Sequence, residues 1–383
     1  MSKMFRKAEW AFRHTLVYPI LRLIWRNPRV DAPLDISRIR KILILRYDRI
    51  GDIVVTTPVF KALKKANPKI VVGVLASESN AELIRFNTNV DRIHILHSSW
   101  FALWREVLLA RRMDYDVVLN FIFNRTTSGG VLANLIAPNG IKIGQGAEKY
   151  GFYFNMLLKL KRGELHMAEL LASIVKEVLG VSILSKDLHF ELPLEKQIVK
   201  KVDDILKSIA PNEKLLVRKQ QRARSVAKSR LIVLNISATD SVRKISSVQA
   251  SAVIRSILKQ PACWVAVISA PQEFQRNENI VQQVQSDRCR SFPGSGTASL
   301  LEIAALIRRA DAVVSPDTSI IHIASATDTP VLGLFTPLQE TTEWLPYKVK
   351  HRTVFAMDGN PVSSIPTELI EREVAVFLRG IVK

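Results

Sequence analysis

The sequence predicts an α/β protein of two doubly wound lobes. Three observations carry that prediction. From Lys41 onward, short apolar runs rich in branched residues alternate with helix-like segments, the texture of buried parallel strands covered on both faces. At Leu231 a second series of the same kind begins, after a charged stretch without strand signals. The length of 383 residues also exceeds what one ordinary core accommodates. Two α/β halves in series, with no residue-level repeat between them, make a molecule with a cleft, and ligands collect in clefts.

The first 37 residues stand apart as a basic amphipathic arm. On a helical wheel Phe5, Phe12, Leu16, Ile20 and Leu23 share a face, with Lys3, Lys7 and His14 opposite. That is the pattern of a helix lying in a membrane interface, and Trp10, Tyr18 and Trp25 add aromatics suited to that depth. Packing of the arm on its own protein is the competing expectation. Pro19 is expected to kink the helix. The central apolar stretch, Leu16–Leu21, is short and no small-residue cleavage site follows it, so a secretory signal is not expected. No apolar run reaches the roughly 18 to 20 residues needed to span a bilayer.

The first lobe is expected over 38–192. Lys41–Leu45 reads as a buried strand, and Arg46-Tyr-Asp-Arg-Ile-Gly-Asp-Ile-Val-Val-Thr-Thr-Pro58 as a turn opening a helix. Further strands are expected at Ile70–Leu75, Arg92–Leu96 and Asp116–Phe121, and helices at Pro58–Ala66, Ala81–Phe86 and Leu103–Arg112. Glu164–Leu179 is a longer helix that Gly180 should close. A linker follows over 193–230, with a helix at Glu195–Ile209 and a basic loop. Lys214–Arg230 holds seven basic residues and no acidic one, which suits either anionic lipid or plain solvation. The second lobe, 231–362, should have strands at Leu231–Ile236, Trp264–Ile268, Ala312–Ser315 and Val331–Phe335. Its helices fall at Ser247–Leu258, Ser299–Ile307 and Thr318–Ala326. A terminal helix, Glu368–Leu378, lies within 363–383. Gly294-Ser-Gly296 follows no clear strand and lacks a third glycine in register, so it reads as a turn rather than a dinucleotide loop.

A formal charge of +20 implies an acidic partner, such as nucleic acid, anionic lipid or a phosphorylated substrate, or else serves solubility. Nucleic acid fits worst, because the basic loop lacks interleaved aromatics and no binding module is recognisable. Cys263 and Cys289 form no disulfide framework, which fits a reducing cytoplasm. The seven histidines include no His-Glu-x-x-His pair, and no metal site is expected.

In an open α/β sheet, ligands bind outside the carboxyl ends of the strands. Asp52 falls there, where a carboxylate can take a proton from a substrate hydroxyl or merely cap the next helix. Asp48 and Arg49 flank the same mouth, and Arg49 suits an acceptor phosphate or an ion pair. In the second half, Asp317 is a natural N-cap for a helix starting near Thr318. The amides of Thr318, Ser319 and Ile320 would then point at an anion, with His322 on the same side. A diphosphate could be held there without a metal. Taken alone, His322 reads more simply as a structural histidine.

Gly51-Asp52 with Thr57-Pro58, and Asp317-Thr318 with His322, in this order and separation, resemble the paired signatures of the bacterial heptosyltransferase family, glycosyltransferase family 9. The resemblance continues through Asn89-Val90-Asp91, Tyr115-Asp116, His166-Met167-Ala168-Glu169 and Leu300–Ile307, spanning Lys41 to Pro337. It implies a GT-B fold, with the acceptor on the first lobe and a nucleotide-sugar donor on the second. It further implies inverting transfer from ADP-heptose in building the inner core of lipopolysaccharide. The implied general base is Asp52, and the implied diphosphate segment is Asp317, Thr318, Ser319 and His322. Lys244 would meet the donor phosphates, with Ser237 and Thr239 in the preceding loop and Glu273 near the donor ribose. Gly51, Arg49 and Asp48 would face the acceptor.

No cofactor and no metal are implied. The implied partners are the donor, an anionic glycolipid acceptor and a membrane surface reached through the arm, with no nucleic acid. Such an enzyme would be cytoplasmic and peripheral on the inner face of the membrane. Ser319 stands where the family usually has glycine, and Ile245-Ser246 replaces its usual aromatic–proline pair. A transferase of this fold using another nucleotide sugar, or a non-catalytic nucleotide-sugar-binding protein, therefore remains an alternative.

Overall fold

Each branched apolar run becomes a strand of an all-parallel sheet, because burial on both faces suits uninterrupted Val, Ile and Leu. The structure, a computed structural model, describes residues 13–25, 27–123, 126–209, 229–337 and 341–382. At its start a π-helical turn, Arg13–Val17, runs into α1 (Tyr18–Ile24). Pro19, expected to kink the helix, lies just after the π-helical turn. It occupies the first turn, where its missing N–H is harmless. Lys3, Phe5, Lys7, Trp10 and Phe12 of the expected amphipathic face, and the side chain of His14, lie outside the described residues.

The first lobe comprises β1 (Lys41–Leu45), α2 (Ile50–Ala66), β2 (Val71–Ser77), β3 (Arg92–Leu96), α3 (Trp100–Arg111), β4 (Val117–Asn120), α4 (Thr126–Ile136), β5 (Ile141–Gln145) and β6 (Met156–Leu158). Then come α5 (Met167–Leu179), closed by Gly180 at φ +66°, and α6 (Lys196–Ile209). The second lobe comprises β7 (Arg230–Asn235), α7 (Ser247–Leu258), β8 (Cys263–Ile268), α8 (Phe274–Val284), β9 (Cys289–Ser291), α9 (Leu300–Arg309), β10 (Ala312–Pro316), α10 (Ser319–Ala326), β11 (Val331–Phe335), β12 (His351–Phe355) and α11 (Thr367–Val382).

The first sheet has the order β3-β2-β1-β4-β5-β6 and the second β12-β11-β10-β7-β8-β9. Counted from its own first strand, each is the 3-2-1-4-5-6 sheet of a Rossmann lobe. The crevices at which strand order reverses therefore lie at the ends of β1 and β4 in one lobe, and of β7 and β10 in the other.

Several expectations need correction. The helix expected from Pro58 starts at Ile50, and Pro58 sits inside it. Proline cannot donate to the carbonyl of Val54, and the Thr57 hydroxyl donates to it instead at 2.7 Å. The helix expected at Ala81–Phe86 is a short 3-10 turn, Ala81–Ile84. The sequence did not yield β5, β6, β9, β12, α4 or α8. α6 is more than a linker: Arg309 of α9 grips Asp203 with bonds of 2.8 and 2.6 Å, pinning α6 to the second lobe. Residues 210–228, most of the basic loop, lie outside the described residues.

One apolar core joins the inner faces of both lobes, including Ile53 and Phe60 of α2, Leu171 of α5, and Ile303 and Ile321 of α9 and α10. Separate clusters fill the outer faces. Val107 and Ile136 of α3 and α4 cover the first sheet, and Ile254 and Val374 of α7 and α11 cover the second.

Candidate active site

The turn after β1 builds one side of the cleft. Arg49 occupies the N-cap of α2 and makes no side-chain cap bond. Asp52 is thus not the cap but the third helical residue, only 5% exposed. Arg46, fully buried, folds back beneath the turn. Its guanidinium donates to Asp52 Oδ1 (3.1 Å), Asp48 Oδ2 (3.1 Å) and the Thr56 hydroxyl (3.0 Å), and also to the Phe121 carbonyl. The Phe123 ring lies over it at 5.6 Å. Burial pushes the Asp52 pKa up to about 6, against the pull of Arg46, while Asp48 adds to the rise and Arg49 opposes it.

The turns after β7 and β10 build the other side. Asn235, at the end of β7, donates to Ser315 Oγ (3.0 Å) and Thr318 Oγ1 (3.1 Å), tying the two strand ends together. The N-cap of α10 is Thr318, whose hydroxyl accepts from the Ile320 amide at 3.4 Å. Asp317 therefore does not cap, contrary to the sequence expectation; it pairs with Arg243 at 3.0 Å. Burial raises the Asp317 pKa, although Arg243 and the Arg49 of the opposite lobe both lower it. Ser319 opens the helix, half-buried.

Lys244 pairs with Glu273 at 2.7 Å, and Arg276 approaches the same oxygen at 3.5 Å. Burial alone would raise the Glu273 pKa, but bonds from Lys244 and Ser237 outweigh it and hold the value below the usual carboxylate range. Ser237 also accepts from the Ala270 amide at 2.8 Å. Thr239 is exposed in the same loop.

His322, four residues beyond Thr318 on α10, is buried between the lobes. Burial, with a smaller push from His166, lowers its pKa to about 3, so the ring is neutral rather than a cationic anion ligand. It lies against Gly51 of the other lobe: a Cβ there would sit 2.5 Å from His322 Cδ2. The Trp344 ring meets it edge-on at 5.8 Å.

The structure thus gathers Asp48, Arg49, Gly51 and Asp52 at one mouth. Asp317, Thr318, Ser319 and His322 form a second group facing it, and Ser237, Lys244 and Glu273 a third beside Thr318. Among the described residues, Asp48 Oδ1 and His322 Nδ1, within these groups, and Arg243 Nε, beside Asp317, are buried polar atoms without a hydrogen-bond partner. Buried polar atoms normally find partners, so each of these three is open to a ligand's polar groups. No group of three or more His, Cys, Asp or Glu side chains among the described residues could hold a metal.

Sequence reasoning missed Arg46, Asn235 and Arg243. Each directly follows, ends or neighbours a recognised segment, which is the signal that could have found them. It also left His166-Met167-Ala168-Glu169 without a role. His166 Nδ1 accepts the Ala168 amide (3.1 Å), so Nε2 carries the proton donated to the Leu345 carbonyl (3.1 Å) in the other lobe. The Tyr347 hydroxyl donates to Glu169 at 3.1 Å, and its ring stacks on His166 at 4.2 Å. Beside this junction Arg162 clamps the fully buried Glu343 with bonds of 2.5 to 3.0 Å.

Comparison with known proteins agrees with this architecture. The model of Glycosyltransferase family 9 (heptosyltransferase) matches residues 102–365, a span that takes in Lys244, Glu273 and Asp317–His322 and starts beyond Asp52. A Haemophilus influenzae protein, itself provisionally named a glycosyltransferase, is 21% identical over 352 residues, covering 89% of this chain and 97% of its own. The solved structure of the glycosyl transferase family 9 protein from Veillonella parvula superimposes with a TM-score of 0.73 at 17% identity, covering 91% of this chain and 99% of that one. Escherichia coli ADP-heptose LPS heptosyltransferase II gives a TM-score of 0.68 at 15% identity, covering 89% and 99%.

Proposed function

Since the chain belongs to glycosyltransferase family 9 and has the GT-B architecture, we propose that it is an inverting, metal-independent transferase that moves heptose from ADP-heptose onto a hydroxyl of a lipopolysaccharide core or related phosphorylated glycolipid. The observation that carries this reading is the pairing of Asp52, a buried carboxylate at the switch point of one lobe, with the Thr318 helix tip at the switch point of the other.

The donor diphosphate lies against the first amides of α10, where the helix dipole favours negative charge. Lys244 exchanges Glu273 for a phosphate oxygen, and Arg243 adds a second positive charge beside Asp317. These groups stabilise the charge that develops as the bond between the anomeric carbon and the phosphate oxygen breaks. The acceptor hydroxyl attacks that carbon from the opposite face, inverting it, and Asp52 takes the hydroxyl proton as the new bond forms. ADP leaves with the electrons of the broken bond. Arg49, exposed at the mouth, meets the acceptor phosphate.

Among the described residues, no helix is long and apolar enough to cross a membrane. Leu16, Ile20, Leu23 and Ile24 of the arm are exposed, which supports a peripheral site on the inner face of the cytoplasmic membrane, next to a lipid-borne acceptor. The test of the donor is calorimetry against ADP-heptose and UDP-sugars, followed by product analysis with a phosphorylated core acceptor. Tight binding of ADP-heptose with acceptor-dependent ADP release is expected. Preference for a UDP-sugar would reassign the donor, and binding without turnover would leave a sugar-nucleotide-binding protein.

A further inference from the structure

α3 buries Val107 and Ala110 against the first sheet and turns an unusual face outward. Trp100 is 76% exposed and Phe101 79%, and Trp104, Leu108 and Leu109 are each more than 40% exposed. The two indoles stack at 6.3 Å, so the apolar surface is continuous rather than scattered. Patches of this kind mark sites of association.

Charge selects the partner. Arg105, Arg111 and Arg112 are exposed beside the aromatics. Glu106, the helix's one acidic residue, is turned inward onto His94 at 2.8 Å. The outward face is therefore aromatic and cationic, on a chain of net charge +20. Trp and Phe with Arg at their margin fit the headgroup layer of a membrane carrying anionic lipid.

The location agrees. α3 and α4 cover the face of the first sheet that lies away from the second lobe, and Arg111 reaches the Leu135 carbonyl of α4 at 3.4 Å. The arm docks on the same layer, where the Tyr18 hydroxyl bonds that of Thr127 at 3.0 Å. Two elements with exposed apolar residues thus both pack on α4, and paired weak anchors reinforce each other.

We propose that α3 is a membrane-docking helix that seats the first lobe on a bilayer surface bearing anionic lipid. The proposal is independent of the transferase reading. It is tested by co-sedimentation of the full chain with phosphatidylcholine vesicles, with and without about one-third phosphatidylglycerol. A Trp100→Ser/Phe101→Ser variant and an Arg105→Gln/Arg111→Gln variant are compared with wild type, and thermal melts check that each is folded. Wild type should bind the anionic vesicles at least about tenfold better than the neutral ones, and each variant should lose about tenfold or more. Brominated acyl chains should quench wild-type tryptophan emission, and quench the serine variant less. Undiminished binding by both folded variants would overturn the proposal. So would light scattering in which the serine variant breaks a wild-type dimer while vesicle binding persists, which would make the face an interface between copies. If the serine pair does not fold, the arginine pair and the quenching still decide the matter.

Discussion

Arg46 sets the electrostatics of the turn after β1. Fully buried, it is the shared counter-charge of Asp48 and Asp52, and removing one partner of a buried ion pair typically costs about 3–5 kcal/mol. Arg46→Met should therefore destabilise the protein by about that much in denaturant titration. Arg46→Lys should be milder in stability but should leave Asp52 less well held in its ionised form. Because burial already places the Asp52 pKa at about 6, a reaction that needs the carboxylate should slow as pH falls through that value and level off above it. In Arg46→Met the falling limb of the pH–rate profile should move to higher pH, since the lost positive charge is what pulls that pKa down. Asp52 was legible in the sequence because it lies past the carboxyl end of a buried strand, where a cap or a base is expected, and falls in the Gly51-Asp52 motif. Arg46 was not, because nothing in a linear sequence tells a surface arginine from one folded back under its own turn. His322 was legible as a member of a motif but not in its state, since its neutrality follows from burial between lobes.

At the scale of elements, α2 and α10 meet end to end across the cleft, with Gly51 of one against His322 of the other. Glycine is needed there for close approach, not for an unusual backbone angle. Gly51→Ala should push the lobes apart, and a displacement of ~1 Å near reacting atoms can cost ~100-fold in rate. Turnover should therefore fall steeply while far-ultraviolet circular dichroism of the full chain stays as in wild type. Adding His322→Ala should recover part of that loss, a non-additivity that steady-state kinetics on the two single variants and the double variant would read. The central strands β1, β7, β10 and β11 were visible because burial on both faces demands unbroken branched residues. The strands that escaped lie toward the sheet edges and are short or polar. In β5, Lys142 interrupts the pattern, yet its ammonium is buried on the carbonyls of Ala137 and Pro138 at 3.1 and 3.0 Å. In α4, Gly129 and Gly130 argue against a helix, but a Cβ at either would lie 2.5 Å from Asn120 or Tyr153.

For the whole molecule, the continuous inner core and the Arg162–Glu343 clamp make the lobes one cooperative unit. Calorimetry should show a single unfolding transition. Glu343→Ala, which breaks the clamp between the lobes and empties a fully buried site, should lower stability by about 3 kcal/mol or split that transition in two. Two sheets with the same strand order bring Asp52 and Thr318, 266 positions apart, to reversal points of their own sheets. The most direct measurement compares purified Asp52→Asn with wild type, following ADP release from ADP-heptose with a phosphorylated core acceptor while donor binding is read by calorimetry. The expected result is a loss of turnover of about 100-fold or more, with donor affinity essentially unchanged. Wild-type turnover in the folded variant would show that the carboxylate does not carry the proton.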